Sequence, residues 1–231
     1  MTRYRWLKAE YQKRGFDLLK RELIHNAYDE TTGSGFRLDF SQDDQVKGKY
    51  IVKKEIQEVI LDPYENEIIT NRISFDIYKF SISKSFPEIT LFDPPRSAQP
   101  FFTKISVLSD FNIFISPIEI DIQAWIQSLE SLSGFKCLVR KINCSGISLS
   151  SSVSGQIALA GSEDVRKYLV NMAGRNKFRM DKATLSISYM NQCFECQIGK
   201  SGTANVLSGD SNLIIGLLAG NLPIWSSPNI S

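Results

Sequence analysis

One histidine, four cysteines and the absence of a long apolar run in 231 residues each close off a class of chemistry. A Ser-His-Asp or Cys-His mechanism would have to use His25 as its base. That residue falls at the end of a segment with helical spacing, where the helix dipole favours an imidazolium and surface histidines are ordinary. Histidine-dependent hydrolysis is therefore not expected. The cysteines, Cys137, Cys144, Cys193 and Cys196, are too few and too unevenly placed for the disulfide framework of a small secreted fold, so reduced thiols are expected. The Arg- and Lys-studded opening lacks the apolar core of a signal peptide. The greasiest segment, 213–225, is broken by Gly216, Gly220, Asn221 and Pro223 and falls short of the roughly 20 residues a spanning helix needs. A cytoplasmic protein with no transmembrane segment is the expectation. There is little net charge, +2 overall, and 42% hydrophobic residues are ordinary for a globular chain.

Charge is nevertheless uneven. The first 25 residues carry Arg3, Arg5, Lys8, Lys13, Arg14, Lys20 and Arg21 against Glu10, Asp17 and Glu22, a local net charge of +4. At 100° per residue, Tyr4, Leu7, Tyr11 and Leu18 share one sector edged by Arg3, Arg14 and Arg21, while Phe16, Leu19 and Leu23 form an offset second face. This spacing predicts a long basic amphipathic helix over residues 3–28, bending near Gly15.

Beyond the turn cluster of residues 29–35, β-branched and aromatic residues dominate the segments 36–40, 50–61, 67–82, 88–92, 102–108 and 112–115. In 72–82, Ile73, Phe75 and Ile77 alternate with Ser74, Asp76 and Lys79, the period of a half-buried antiparallel strand. From about residue 101 a strand-strand-helix unit recurs, with helices read over 118–132, 162–173 and 211–219. Gly174 and Gly220 stand where helix C-caps fall. The fold class is α+β: a mainly antiparallel sheet with a long N-terminal helix, helices packed on one face and repeated strand-strand-helix units. The organisation read from this is a basic helix at 1–28, a β-rich region at 36–95 and strand-strand-helix units at 101–225, continuous with the preceding sheet.

Short motifs carry less than they promise. Gly199-Lys200-Ser201-Gly202-Thr203 resembles the end of a phosphate-binding loop, but the glycine needed five residues earlier is Phe194, so an exposed strand turn is expected. Cys193-Phe-Glu-Cys196 has zinc-knuckle spacing, yet the remaining ligands would be Cys137, Cys144 and the distant His25. Inert thiols are the simpler reading. The acids Glu55, Glu58, Asp62, Glu65, Glu67 and Asp76 are interleaved with lysines, as on a solvated sheet face. Asp93-Pro94-Pro95-Arg96-Ser97 reads as a linker, since two prolines do not fit a central strand.

No catalytic residue, metal ligand or cofactor is assigned. The leading expectation is a non-enzymatic subunit or adaptor of a larger cytoplasmic assembly, contacting a protein partner through Tyr4, Trp6, Leu7, Tyr11, Arg14, Leu18 and Arg21. A nucleic-acid-binding subunit is the alternative, with Arg3, Arg14, Arg21, Arg166, Lys167, Arg175, Lys177 and Arg179 as candidate contacts. A third reading is a metal-dependent enzyme whose acids converge only in three dimensions. Oligomeric state is left open.

Overall fold

The computed structural model describes residues 2–12, 14–61, 63–64, 67–148, 153–173 and 178–223. It is an antiparallel α+β protein, and it overturns the long N-terminal helix. Residues Thr2–Tyr11 form a strand, β1, and helix begins only at α1, Gly15–His25. Tyr4 and Trp6 alternate with Arg3 and Arg5, and Leu7, Ala9 and Tyr11 alternate with Lys8 and Glu10. Those are two runs of period 2 joined by one phase slip, and the burial follows them, with Tyr4, Trp6, Leu7 and Ala9 all buried. The apparent helical stripe drew Tyr4 from one run, Leu7 and Tyr11 from the other and Leu18 from α1. The chain turns at Arg14, in the left-handed region at φ 59°, and Gly15 follows because a Cβ there would lie 2.8 Å from the Asn112 carbonyl oxygen.

Two compact units divide the chain, Lys8–Ile115 and Met1–Leu7 with Ser116–Ser231. In the first, the strand order is β2 (Ser34–Ser41), β3 (Gln45–Leu61), β4 (Glu67–Ser83), β5 (Ile89–Phe92) and then the second half of β1. The β2, β3, β4 and β5 pairings are antiparallel. The segment expected as a strand near 102–108 is helix α2, Gln99–Leu108, with Pro100 in its first turn, where a missing N–H costs nothing. Phe101 and Ile105, spaced by four, are its buried face. Stacked, tilted and edge-to-face rings of Phe36, Tyr50, Tyr78, Phe80 and Phe101, with centroids 4.7 to 6.4 Å apart, fill this core. The Asp93–Ser97 stretch, read as a linker, joins β5 to α2 inside this same unit.

In the second unit the first half of β1 pairs antiparallel with β11 (Thr203–Ser208), followed by β10 (Gln192–Gly199), β9 (Arg179–Tyr189), β7 (Lys136–Ser148) and β8 (Ser154–Ala160). β6, Ile113–Pro117, lies beside β1. Helix α3, Ile122–Glu130, starts on Asp121, whose carboxylate accepts from the Gln123 and Ala124 amides at 2.9 and 3.2 Å. Its Trp125, Ile126 and Leu129 are fully buried. Helix α4 spans Arg166–Ala173 and α5 spans Ser211–Gly220. The first expected strand-strand-helix cycle is lost to α2, and the last has three strands before its helix. Gly220 is the last residue of α5 rather than its cap, and Gly174 lies outside the described residues. Among the described residues no helix is long and apolar enough to cross a membrane.

Candidate interaction surface

The antiparallel ladder of β3 and β4 is in continuous register for 17 residue pairs, from Gln45 opposite Ser83 to Leu61 opposite Glu67. At about 3.4 Å per residue it is a ribbon about 55 Å long. Its root lies in the core, where Tyr50 and Tyr78 face each other and Val46, Phe80 and Ile82 are buried. Beyond those tyrosines burial stops, and residues 54–60 and 67–73 are exposed on both faces except the half-buried Ile56.

The face opposite the tyrosines is apolar where water would be expected. Side chains two apart on a strand share a face, so Ile51, Lys53, Glu55, Gln57 and Val59 of β3 lie with Ile77, Phe75, Ile73, Asn71 and Ile69 of β4. Ile77, Phe75, Ile73, Ile69 and Val59 are 43%, 48%, 57%, 57% and 56% exposed. Single exposed apolar residues mean little, whereas five on one face, interrupted only by the Gln57–Asn71 row, form an exposed apolar patch. Charge differs between the ends of the same face: Lys47, Lys49, Lys53 and Lys79 stand toward the root, and Glu67 stands at the tip, within a segment, 57–67, whose sequence contains four acids and no cation. Lys53 pairs with Glu55 at 3.2 Å, and Lys47 lies 5.6 Å over the Phe40 ring.

The N-terminal residues expected to meet a partner are placed differently. Tyr4, Trp6 and Leu7 are core side chains; Trp6 packs edge-on to Trp125 at 5.8 Å and stacks with Tyr4 at 6.5 Å. Tyr11 and Leu18 are half-buried, the Tyr11 hydroxyl donating to the Ser83 carbonyl at 2.6 Å; burial raises its pKa, with Glu88 adding to the effect. Arg3, Arg14 and Arg21 are exposed.

Of the candidate nucleic-acid contacts at 166–179, Arg166, Lys167 and Arg179 are paired with carboxylates. The Arg166 guanidinium donates to both Glu130 oxygens at 2.7 and 3.0 Å and to both Asp164 oxygens, which holds its pKa above the usual arginine value. Burial raises the Asp164 carboxyl, but the hydrogen bonds from Arg166 outweigh it and leave Asp164 below the ordinary carboxylate range. Lys167 pairs with Glu163, Arg179 with Glu119, and Lys200 with Asp181. Each such pair removes a cation that a phosphate backbone would need. Arg175 and Lys177 lie outside the described residues.

Among the described residues no three His, Cys, Asp or Glu side chains converge as a metal site would require. Cys193 is exposed and Cys196 buried, on opposite faces of β10, so one ion could not be reached by both without rearranging the strand. Burial pushes the Cys196 and Cys137 thiols up to about 12 and Cys144 up to about 11, so all three stay protonated at neutral pH. The Gly199–Thr203 string is the β10–β11 hairpin turn. Gly202 holds φ +64°, its carbonyl accepts the Trp6 amide at 2.8 Å, and Lys200 pairs with Asp181 instead of pointing freely to solvent. His25 is an exposed helix-end residue. The ribbon acids Glu55, Glu58, Glu67 and Asp76 are spaced along the ladder without converging, and Asp62 and Glu65 lie outside the described residues.

The ribbon face is the surface that sequence reading left out. Its alternation at 73–77 resembled a half-buried strand, but the neighbouring Val59-Ile60 and Ile68-Ile69 pairs place apolar side chains on both faces at once. A strand with one solvated face does not do that, and this was the available signal. No protein-family model matches the chain, and no curated protein is similar to it in sequence.

Proposed function

We propose that this protein is a subunit or adaptor of a larger cytoplasmic assembly that acts through protein-protein contacts, with the β3–β4 ribbon as its contact element. The observation that carries the reading is the exposed ladder Ile69, Ile73, Phe75 and Ile77 with Val59 on one face of a ribbon that leaves its own core behind. Exposing such a row to water is unfavourable by about 25 cal/mol per Å² of apolar surface, and docking against a partner relieves it. Aromatic and branched aliphatic side chains on a strand are also well suited to interface packing, because they lose little rotamer freedom when covered.

The test is the native mass of the tagged full chain recovered from its own cells. Wild type is expected in a species heavier than its own 26.1 kDa, and the double variant Ile73→Lys, Phe75→Lys at the monomer mass with an unchanged circular dichroism spectrum. A folded double variant that keeps the wild-type assembly mass would overturn the reading.

A further inference from the structure

Building on that reading, we propose that the ribbon face pairs with the same face of a second copy of the chain, antiparallel, about a two-fold axis at Glu55 and Ile73. A two-fold interface must be self-complementary, each row meeting the row equally far on the other side of the axis. Glu55 and Ile73 are opposite each other in the ladder. Two rows toward the root are Lys53 with Phe75 and Ile51 with Ile77, and two rows toward the tip are Gln57 with Asn71 and Val59 with Ile69. Reversal about Glu55 and Ile73 therefore lays Ile51 and Ile77 of one copy on Val59 and Ile69 of the other. Phe75 falls on Asn71, and Ile73 meets its own symmetry mate.

The ends match as well. The next root row carries Lys49 and Lys79, and the next tip row carries Glu67, so Lys79 of each copy faces Glu67 of the other. The Ile51–Ile77 row meets the Val59–Ile69 row, Phe75 covers Asn71, and the Lys79–Glu67 contact at each end sets the register. Stacked sheet faces pack about 10 Å apart, which five exposed aliphatic and aromatic side chains per copy can fill. The paired face is about 40 Å by about 10 Å, burying on the order of 1,000 Å² in both copies together, at the lower limit for a specific interface. The dimer should therefore form at micromolar rather than nanomolar concentration.

One contact is unfavourable, and it makes the proposal specific. Glu55 meets Glu55 of the second copy at the axis, a like-charge pair that its ion pair with Lys53 only partly offsets. A lipid surface is the competing occupant of an exposed apolar hairpin, but four acids in residues 57–67 repel anionic headgroups.

Sedimentation equilibrium of the full chain from 1 to 200 µM tests the pairing. Wild type should show a reversible monomer–dimer equilibrium. Ile73→Lys should weaken it about tenfold or more. Glu55→Gln should tighten it about threefold by removing the like-charge contact. Lys79→Glu should weaken it, and adding Glu67→Lys to the same chain should restore it, because the reversed charges meet again across the two-fold. All four sites are exposed, so circular dichroism and the thermal midpoint should not move. Monomeric wild type at 200 µM overturns self-pairing, as does a dimer indifferent to these variants or flotation of the monomer on vesicles of zwitterionic lipid. If self-pairing fails but Ile73→Lys, Phe75→Lys still lowers the native mass from cells, the contact role of the ribbon stands with a different protein as occupant. If neither measurement responds, both readings fall.

Discussion

Replacing each of two equally buried tryptophans by phenylalanine should have unequal consequences, because their indole nitrogens are treated differently. Trp6 and Trp125 are both fully buried and touch edge to face at 5.8 Å, within the same unit. Trp125 Nε1 donates to the Leu218 carbonyl at 3.1 Å, in the last turn of α5, where carbonyls have run out of intrahelical partners. Trp6 Nε1 is buried without a partner among the described residues. In either case the smaller ring gives up about 40 Å² of apolar contact, about 1 kcal/mol, and leaves a cavity worth about 1 kcal/mol more. At Trp125 the lost hydrogen bond adds about 1 kcal/mol, because Leu218 keeps only the long contact from the Asn221 amide at 3.4 Å. At Trp6 the substitution removes a desolvated N–H, which returns about 1 kcal/mol or more. Trp125→Phe should therefore destabilise by about 3 kcal/mol and Trp6→Phe by about 1 kcal/mol or less. Urea unfolding followed by far-ultraviolet circular dichroism reads both from the same unit, and equal slopes would show that the comparison concerns the folded state. Equal destabilisation, or the larger loss at Trp6, would refute the reasoning.

Two further outcomes follow from single residues. Gly202→Ala should cost about 2 kcal/mol or more, since an alanine would be held at φ +64° with its Cβ against the Ile118 side chain and 2.9 Å from the Trp6 carbonyl oxygen; a thermal midpoint equal to wild type would contradict this. With a thiol-specific disulfide reagent at pH 8, native protein should release about one equivalent quickly, from exposed Cys193, and the other three only on unfolding. The same burial makes stability pH-dependent: thiols raised from 9.0 hold their protons in the folded state after the unfolded chain has lost them. Their contribution is therefore complete below about pH 9 and is lost as pH rises toward 11 to 12.

The antiparallel α+β class was legible because strand alternation is local: residues 67–82 showed their period, and the structure pairs them in register with 45–61. The N-terminus was not, and the reason is instructive. A strand that changes its buried face between Trp6 and Leu7 breaks period 2 once, and such a break leaves apolar residues at positions 4, 7 and 11, which is also what a helix produces. Only tertiary context separates that from a helix. At 102–108 the error ran the other way, because β-branched and aromatic content suggested a strand and hid the i, i+4 pair Phe101 and Ile105 of α2.

Charge carries a related ambiguity. Arg166, Lys167 and Arg179 read along the chain as candidate nucleic-acid contacts, but a count of cations does not show their partners: Glu130 and Asp164 pair with Arg166, Glu163 with Lys167 and Glu119 with Arg179. Conversely, the cations and acids of the ribbon averaged to nothing in composition, while on one face Lys47, Lys49, Lys53 and Lys79 stand toward the root and Glu67 at the tip. Polarity along an element is invisible to a sum over it. The same holds for the apolar ladder, since Ile69, Ile73, Phe75 and Ile77 are what a buried strand would carry, and their meaning changes only because β3 and β4 continue past the last core residues, Tyr50 and Tyr78. A strand composition suited to burial, on a segment its own core cannot reach, is the ground for proposing the contact surface on the ribbon instead of the basic N-terminus.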